Sequence, residues 1–274
     1  MKIHFLGTAA AEGFPNVFCS CDACKKALQL GGKNIRSRSS VLIDEVLKVD
    51  YTADSHMQAL KEGVHLGKVE DLLITHTHSD HLYAGDLTSR MKGFSHGVDH
   101  PLTIYGNALA LYLCKQYDLH TIDNGEQFKL KLVEAFKTYE TRTAKITPLK
   151  ADHDPDENCF IYFIERNGKN ILYGNDTGWF PDDTWEWLKD QKIDAAILDC
   201  TVGETGNRYS PNHMSVETVK EVQKEFVRLG VLNKGARMIA THFSHNCGLL
   251  HEDLVQIFDS SQIEVAFDGM ILEL

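Results

Sequence analysis

No stretch of the chain approaches eighteen consecutive apolar residues, so no segment reads as a membrane-crossing helix. Positive charge is also in short supply. The 274 residues carry 28 Lys and Arg against 39 Asp and Glu, a formal net charge of −11. That balance argues against a general nucleic-acid binder, whose surface would be basic. Proline is scarce, at 6 residues, and no Pro/Ser-rich or low-complexity tract divides the chain. One domain spanning 1–274 is therefore expected, and no short solenoid-type period is visible. The opening Met1-Lys2-Ile3-His4-Phe5-Leu6-Gly7 lacks the long apolar core of a signal peptide and reads as a strand. The seven cysteines are an odd number, unlike the even, dense set of a secreted disulfide framework. The expectation is a reducing cytoplasm, with the cluster Cys19, Cys21 and Cys24 on a metal and the other thiols buried.

What is present is an apolar fraction of 43%, normal for a chain with a full core. The apolar pattern predicts strands over 2–8, 41–43, 46–49, 72–75, 102–105, 128–139, 145–149, 160–164, 170–173, 195–198 and 238–241. Asp44-Glu45 and Asn167-Gly168 sit where hairpins turn. Val265–Phe267 and Ile271–Leu272 read as a last hairpin around Asp268-Gly269. Helices are predicted over 24–30, 55–62 with Ser55 as cap, 82–91, 108–117, 183–189, 215–229 with Ser215 as cap, and 250–258. Strands followed by helices in both halves fit a four-layer arrangement of helix, sheet, sheet and helix.

The most informative stretch is Thr75-His76-Thr77-His78-Ser79-Asp80-His81. In an extended segment, side chains two residues apart share a face, so His76 and His78 can grip one metal. Asp80 and His81 fall where the chain turns and can face a second. Imidazole suits zinc, iron and related ions, and a carboxylate adds a harder ligand. His153, Asp176 and His242 also lie just beyond apolar strands. Strand ends along one sheet edge form a common rim where sites gather. Taken singly, His153 is more often a surface histidine than a ligand, and Asp176 could equally be a turn residue before Gly178.

The ordered set His76-x-His78-x-Asp80-His81, His153, Asp176 and His242 resembles the metallo-β-lactamase superfamily along the whole chain. Phe5-Leu6-Gly7-Thr8, the Cys-x-Cys-x-x-Cys loop, Asn175-Asp176-Thr177-Gly178, Leu198-Asp199-Cys200, Asn212-His213, Thr241-His242-Phe243-Ser244-His245 and Phe267-Asp268-Gly269-Met270 are similar to PhnP-type phosphodiesterases. The resemblance implies an α/β (α+β) fold, a four-layer αββα sandwich of the metallo-β-lactamase type. It implies a dinuclear site in which His76, His78 and His153 hold one divalent ion and Asp80, His81 and His242 the second, bridged by Asp176. It implies hydrolysis of a small, cyclic or nucleotide-like phosphate diester by a metal-bound hydroxide, with His213 and Asp80 as catalytic residues and His213 as general acid. The ions would be zinc, manganese or iron. Read from the residues alone, His213 could equally be an exposed loop histidine.

Cys19, Cys21, Cys24 and His245 suggest a separate structural zinc, because three thiolates and an imidazole suit a closed tetrahedral site. Reduced thiols without metal are the alternative. Arg36 and Arg38 could meet a phosphate or simply face solvent. Asp199 could orient a ligand histidine or cap a turn. His4, His56, His65, His96, His100, His120 and His251 match no ligand position. Among rival readings of the same fold, a transfer-RNA 3′-processing nuclease would need a basic arm that no insert supplies. A β-lactam hydrolase would be exported. A pyrroloquinoline-quinone biosynthesis B-like protein shares the cysteine loop. A non-catalytic metal-binding protein would be expected to have broken ligands, and all seven positions are intact. The expected partner is a small-molecule diester, with no membrane or nucleic acid, and a homodimer is compatible with the sequence.

Overall fold

The computed structural model describes residues 1–119 and 126–274; His120 lies outside them. One sheet is built from β1 (Lys2–Gly7), β2 (Ser40–Ile43), β3 (Leu47–Val49), β4 (Asp71–Leu73), β5 (Leu102–Gly106), β6 (Phe128–Leu132) and β14 (Ile271–Glu273), in the order β14-β1-β2-β3-β4-β5-β6. The other contains β7 (Tyr139–Glu140), β8 (Lys145–Lys150), β9 (Phe160–Arg166), β10 (Lys169–Gly174), β11 (Ile193–Asp199), β12 (Leu232–Thr241) and β13 (Glu264–Val265), in the order β13-β12-β11-β10-β9-β8-β7. The helices are α1 (Asp22–Leu30), α2 (Ser55–Glu62), α3 (Ala108–Gln116), α4 (Asp182–Leu188), α5 (Val216–Leu229) and α6 (His251–Phe258).

The layering follows from strand alternation. On β10, Ile171 and Tyr173 point into the space between the sheets, where they meet Phe5, Val49 and Leu73 of the first sheet. Leu172, between them, points outward into a second core with Val219, Val222 and Phe226 of α5 and Leu254 and Phe258 of α6. Leu42, Leu72 and Ile104 do the same on the first sheet, against Ala110 and Cys114 of α3. Both faces of these strands are apolar, so they read as continuous apolar runs. The expected four-layer αββα sandwich is what forms.

Local signals explain most ends. Ser215 Oγ accepts from the Thr218 amide at 3.1 Å, and Gly230 closes α5 in the left-handed region at φ 66°. Asn167 and Gly168, at φ 51° and 72°, turn β9 into β10 as expected. Four local expectations are corrected. The segment 82–91 holds a 3-10 helix, Ala84–Arg90, not an α-helix. The run 128–139 is two strands in different sheets, β6 and β7. Asp54, not Ser55, precedes α2, and its carboxylate pairs with Arg38 instead of capping the helix. The last hairpin does not exist. β13 runs parallel to β12, whereas β14 pairs with β1 in the other sheet. Asp268 explains the crossing: it accepts from Thr8 Oγ1 at 2.8 Å, and from the Ser37 amide and hydroxyl at 2.6 and 2.7 Å. That tether draws the chain across to the first sheet, and Gly269, at φ 91°, takes the turn.

Candidate metal centre

The expected strand-end rule holds in both sheets. His76 follows β4, His153 follows β8, Asp176 follows β10 and His242 follows β12, and the structure brings all four to one rim with His78, Asp80 and His81. Three overlapping groups of ligand atoms form there, each within 4.8 Å of one another: His76, His78, His153 and Asp176; Asp80, His81, Asp176 and His242; and Asp176, Asp199, His213 and His242. Asp176 belongs to all three. Its Oδ2 lies 3.8 Å from His76 Nε2, 3.6 Å from His153 Nε2, 3.2 Å from His81 Nε2 and 3.5 Å from His242 Nε2.

The outward ring nitrogens are held so that the inward ones converge. His81 Nδ1 meets Asp50 Oδ2 at 2.7 Å, His242 Nδ1 meets Thr201 Oγ1 at 2.8 Å, and His153 Nδ1 donates to the Asn212 carbonyl at 3.1 Å. His78 is turned the other way: Nε2 meets Asp154 at 3.1 Å and Nδ1 faces inward, 3.0 Å from His153 Nε2. Such outer partners fix the tautomer and orientation of metal-binding imidazoles. Asp50 and Asp154 are the residues sequence reasoning missed. Asp50 follows Val49 at the end of β3, so the rule that found His76 would have found it.

The inward atoms test whether cations fit. His76 Nε2, His81 Nε2 and His242 Nε2 are buried with no hydrogen-bond partner. A buried ring nitrogen left without a hydrogen bond costs about 1–3 kcal/mol, and three converging on shared carboxylates make a donor set that suits a bound cation. The donor set therefore fits two divalent ions.

The field inside the cluster is strong. Burial works against charge on His81, yet Asp80 and Asp50 hold its pKa well above the ordinary value. Burial, then the neighbouring His81, pushes His76 well below it. For Asp176 burial opposes ionisation, but His242 and His213 keep it well below the usual carboxylate range. His213 joins the rim from the loop before α5. Its Nδ1 lies 2.8 Å from Asp176 Oδ1 and 2.9 Å from Asp199 Oδ2. Burial would lower its pKa, but Asp199 and Asp176 raise it to about 11. Asp199 also accepts from the amides of Thr201 and Met214 at 2.9 and 3.0 Å. It is thus both a turn anchor and the partner that sets His213.

Cys19, Cys21, Cys24 and His245 form a separate group of ligand atoms within 4.8 Å. Cys21 Sγ lies 3.7 Å from His245 Nδ1, and Asn16 Nδ2 lies 3.3 Å from His245 Nε2. The Cys24 amide, then His245, lowers Cys21 to about 6, while burial raises Cys24 to about 11. Arg36 and Arg38 are not part of either centre. Arg36 is buried, donating to Thr8 Oγ1 and to the Ala266 carbonyl, and Arg38 pairs with Asp54 at 2.9 Å. Arg36 is thus spent on internal contacts, while Arg38 keeps its side chain 32% exposed.

Known proteins agree with this architecture. The coenzyme PQQ synthesis protein B of Acinetobacter baumannii (strain AYE) is 25% identical, over 100% of both chains. A ribonuclease Z of Lactobacillus gasseri is 34% identical over 110 residues, 39% of this chain and 30% of that protein. The crystal structure of a diphosphatase from the PhnP family superposes with a TM-score of 0.77 at 24% identity, covering 100% of this chain and 97% of the other. The model of the β-lactamase superfamily domain matches residues 40–243, which carry every candidate ligand of the two-ion cluster. With the four-layer sandwich and the strand-end His/Asp rim, that match places the chain in the β-lactamase superfamily domain family, the metallo-β-lactamase fold of metal-dependent hydrolases.

Proposed function

We propose that the protein is a dinuclear metal-dependent phosphodiesterase acting on a small phosphate diester, cyclic diesters included. The observation that carries this reading is Asp176, shared by overlapping ligand groups in which the buried Nε2 atoms of His76, His81 and His242 have no hydrogen-bond partner. His76, His78 and His153 would hold one ion, Asp80, His81 and His242 the other, with Asp176 common to both. Two divalent ions held there would supply Lewis acidity to activate water and offset charge on phosphoryl oxygens. Zinc, manganese and iron all suit this ligand set.

The chain's own residues supply proton control. Departure of an alkoxide needs a proton, and a positioned histidine is the usual donor. His213 Nδ1 is engaged by Asp176 and Asp199, leaving Nε2 as the ring atom that hands a proton to the leaving oxygen. The side chain is about a quarter exposed, at 26%, so a substrate can reach it. Asp80 is held ionised: burial opposes this, but His81 and His242 keep its pKa far below the ordinary value. A net charge of −11 disfavours a long polyanion such as RNA and leaves a small diester as the better fit. The cysteine group would hold a structural zinc that pins the 12–24 loop.

The test is hydrolysis of bis(p-nitrophenyl) phosphate by the manganese-loaded protein. Turnover that depends on metal and is lost in His76→Ala supports the reading. No turnover with any of the three metals, with both sites shown filled, sinks it. A second reading, a role like that of coenzyme PQQ synthesis protein B, is favoured by the match over 100% of both chains. A substrate screen over cyclic phosphates and dinucleotides separates the two, since only the first reading expects cleavage.

A further inference from the structure

A cavity of about 280 Å³ lies between α2 and the outer face of the first sheet, and none of the seven cluster residues lines it. Its body is apolar: Leu60, Val64, Leu66, Leu72, Leu87 and Leu102. Beside the hydroxyls of Tyr51, Ser89 and Ser95, its polar groups are bases. Lys48 and Arg90 line it, as do the histidines 56, 65 and 96. No Asp or Glu lines it among the described residues, in a chain where acids outnumber bases 39 to 28. Chance surface composition would have placed carboxylates there.

Lys48 and Arg90 are incompletely satisfied. Lys48 is 1% exposed, and its ammonium donates to Ser40 Oγ and to the Asp50 carbonyl, using two of three hydrogens. Burial lowers its pKa to about 7, with Asp50 opposing, so its charge is costly as it stands. Arg90 donates to the carbonyls of Gly67 and His100 at 3.3 and 2.9 Å, yet its Nε is buried without a partner. An anion in the cavity would offset both deficits, and the apolar walls would bury an attached hydrocarbon. We propose that this cavity binds a small amphipathic anion, an aliphatic or aryl carboxylate, with its head toward Lys48 and Arg90. Apolar pockets with a few placed polar groups are the usual form of small-molecule sites.

The experiment is calorimetric titration of the metal-loaded protein with octanoate, octanol and octylammonium. Octanoate should bind once per chain with a dissociation constant on the order of 0.1 mM, at least about tenfold tighter than octanol, and octylammonium should not bind. Ala59→Trp, which fills the cavity from α2, should abolish octanoate binding. Val98→Trp, from the loop that forms another wall, serves if the first variant does not fold. Arg90→Met should weaken octanoate and leave octanol unchanged. His242→Ala should leave octanoate binding intact. Octanoate binding no tighter than octanol overturns the proposal. So does binding that survives both tryptophan variants and disappears in His242→Ala, because the carboxylate then sits at the metal cluster.

Discussion

Replacing Lys48 by methionine should flatten part of the protein's pH–stability profile. Lys48 sits on β3, buried to 1%, and its pKa falls from 10.5 to about 7 through burial, opposed by Asp50. A depressed lysine penalises the fold while it is charged. Between those two values the unfolded chain holds one more proton than the native one, so stability rises with pH at up to about 1.4 kcal/mol per unit. The contribution is complete above pH 10.5 and is lost as pH falls toward about 7. Over the whole window the sum is on the order of 5 kcal/mol. Met has a similar volume and no proton to exchange, so the difference between the two proteins isolates this group. At alkaline pH the neutral amine still donates to Ser40 Oγ and the Asp50 carbonyl, and its loss costs about 1–3 kcal/mol per unpaired group. Urea unfolding at a series of pH values measures the difference. From about pH 7.5 to about pH 9.5, wild type should gain about 2–3 kcal/mol over Lys48→Met. A difference constant to within about 0.5 kcal/mol across that range would refute a depressed lysine.

Two further outcomes follow from contacts already described. Asp199→Asn keeps the hydrogen-bonding shape beside His213 but removes the charge, so kcat for a diester with an alkyl leaving group should fall about 10²-fold. KM should hold, and a p-nitrophenyl leaving group, which needs no proton, should be nearly unaffected; equal losses on both substrates would count against proton delivery. Gly7→Ala should destabilise by about 3–5 kcal/mol, since its Cβ would sit 2.0 Å from the Arg38 carbonyl oxygen. Chemical denaturation checks this, and a loss under about 1 kcal/mol would mean that the 7–38 contact yields easily.

The candidate site was legible because its residues obey a local rule: each follows a strand whose apolar run is visible in one dimension. His76, His153, Asp176 and His242 all show it. Asp50 shows it too, but a carboxylate after a short hairpin looks like an ordinary turn until His81 Nδ1 is seen 2.7 Å away. Arg36 was illegible for a different reason. Burial is not local: Arg36 spends its guanidinium on Thr8 and Ala266, 28 and 230 residues away. The final crossover failed likewise, because Asp268-Gly269 has the composition of a hairpin turn. What sends the chain to the other sheet is the tether from Asp268 to Thr8 and Ser37. Turn chemistry says that the chain reverses, not which sheet receives it.

The proximity of His242 to His245 raises the question of whether the cysteine group holds up the two-ion cluster or only stands beside it. Three contacts decide in favour of independence. The Phe243 amide donates to the Thr8 carbonyl at 3.0 Å, and the Ala10 amide donates to the Phe243 carbonyl at 3.1 Å. The Phe243 ring is fully buried, with the Arg36 guanidinium 4.6 Å from its centroid. The backbone between the two histidines is thus fastened to the segment that follows β1 by bonds that owe nothing to a thiolate. His242 itself, at φ 62°, is set by that fastening and by Thr201 Oγ1 at 2.8 Å. Cys19→Ala/Cys21→Ala should therefore lose one metal ion per chain and make the 12–24 loop sensitive to protease. The other two ions should stay bound, and kcat should stay within about threefold of wild type. Metal analysis after desalting reads the outcome directly. If all three ions leave together, the Phe243 anchorage is too weak to hold His242, and the cysteine group is part of the active site's scaffold.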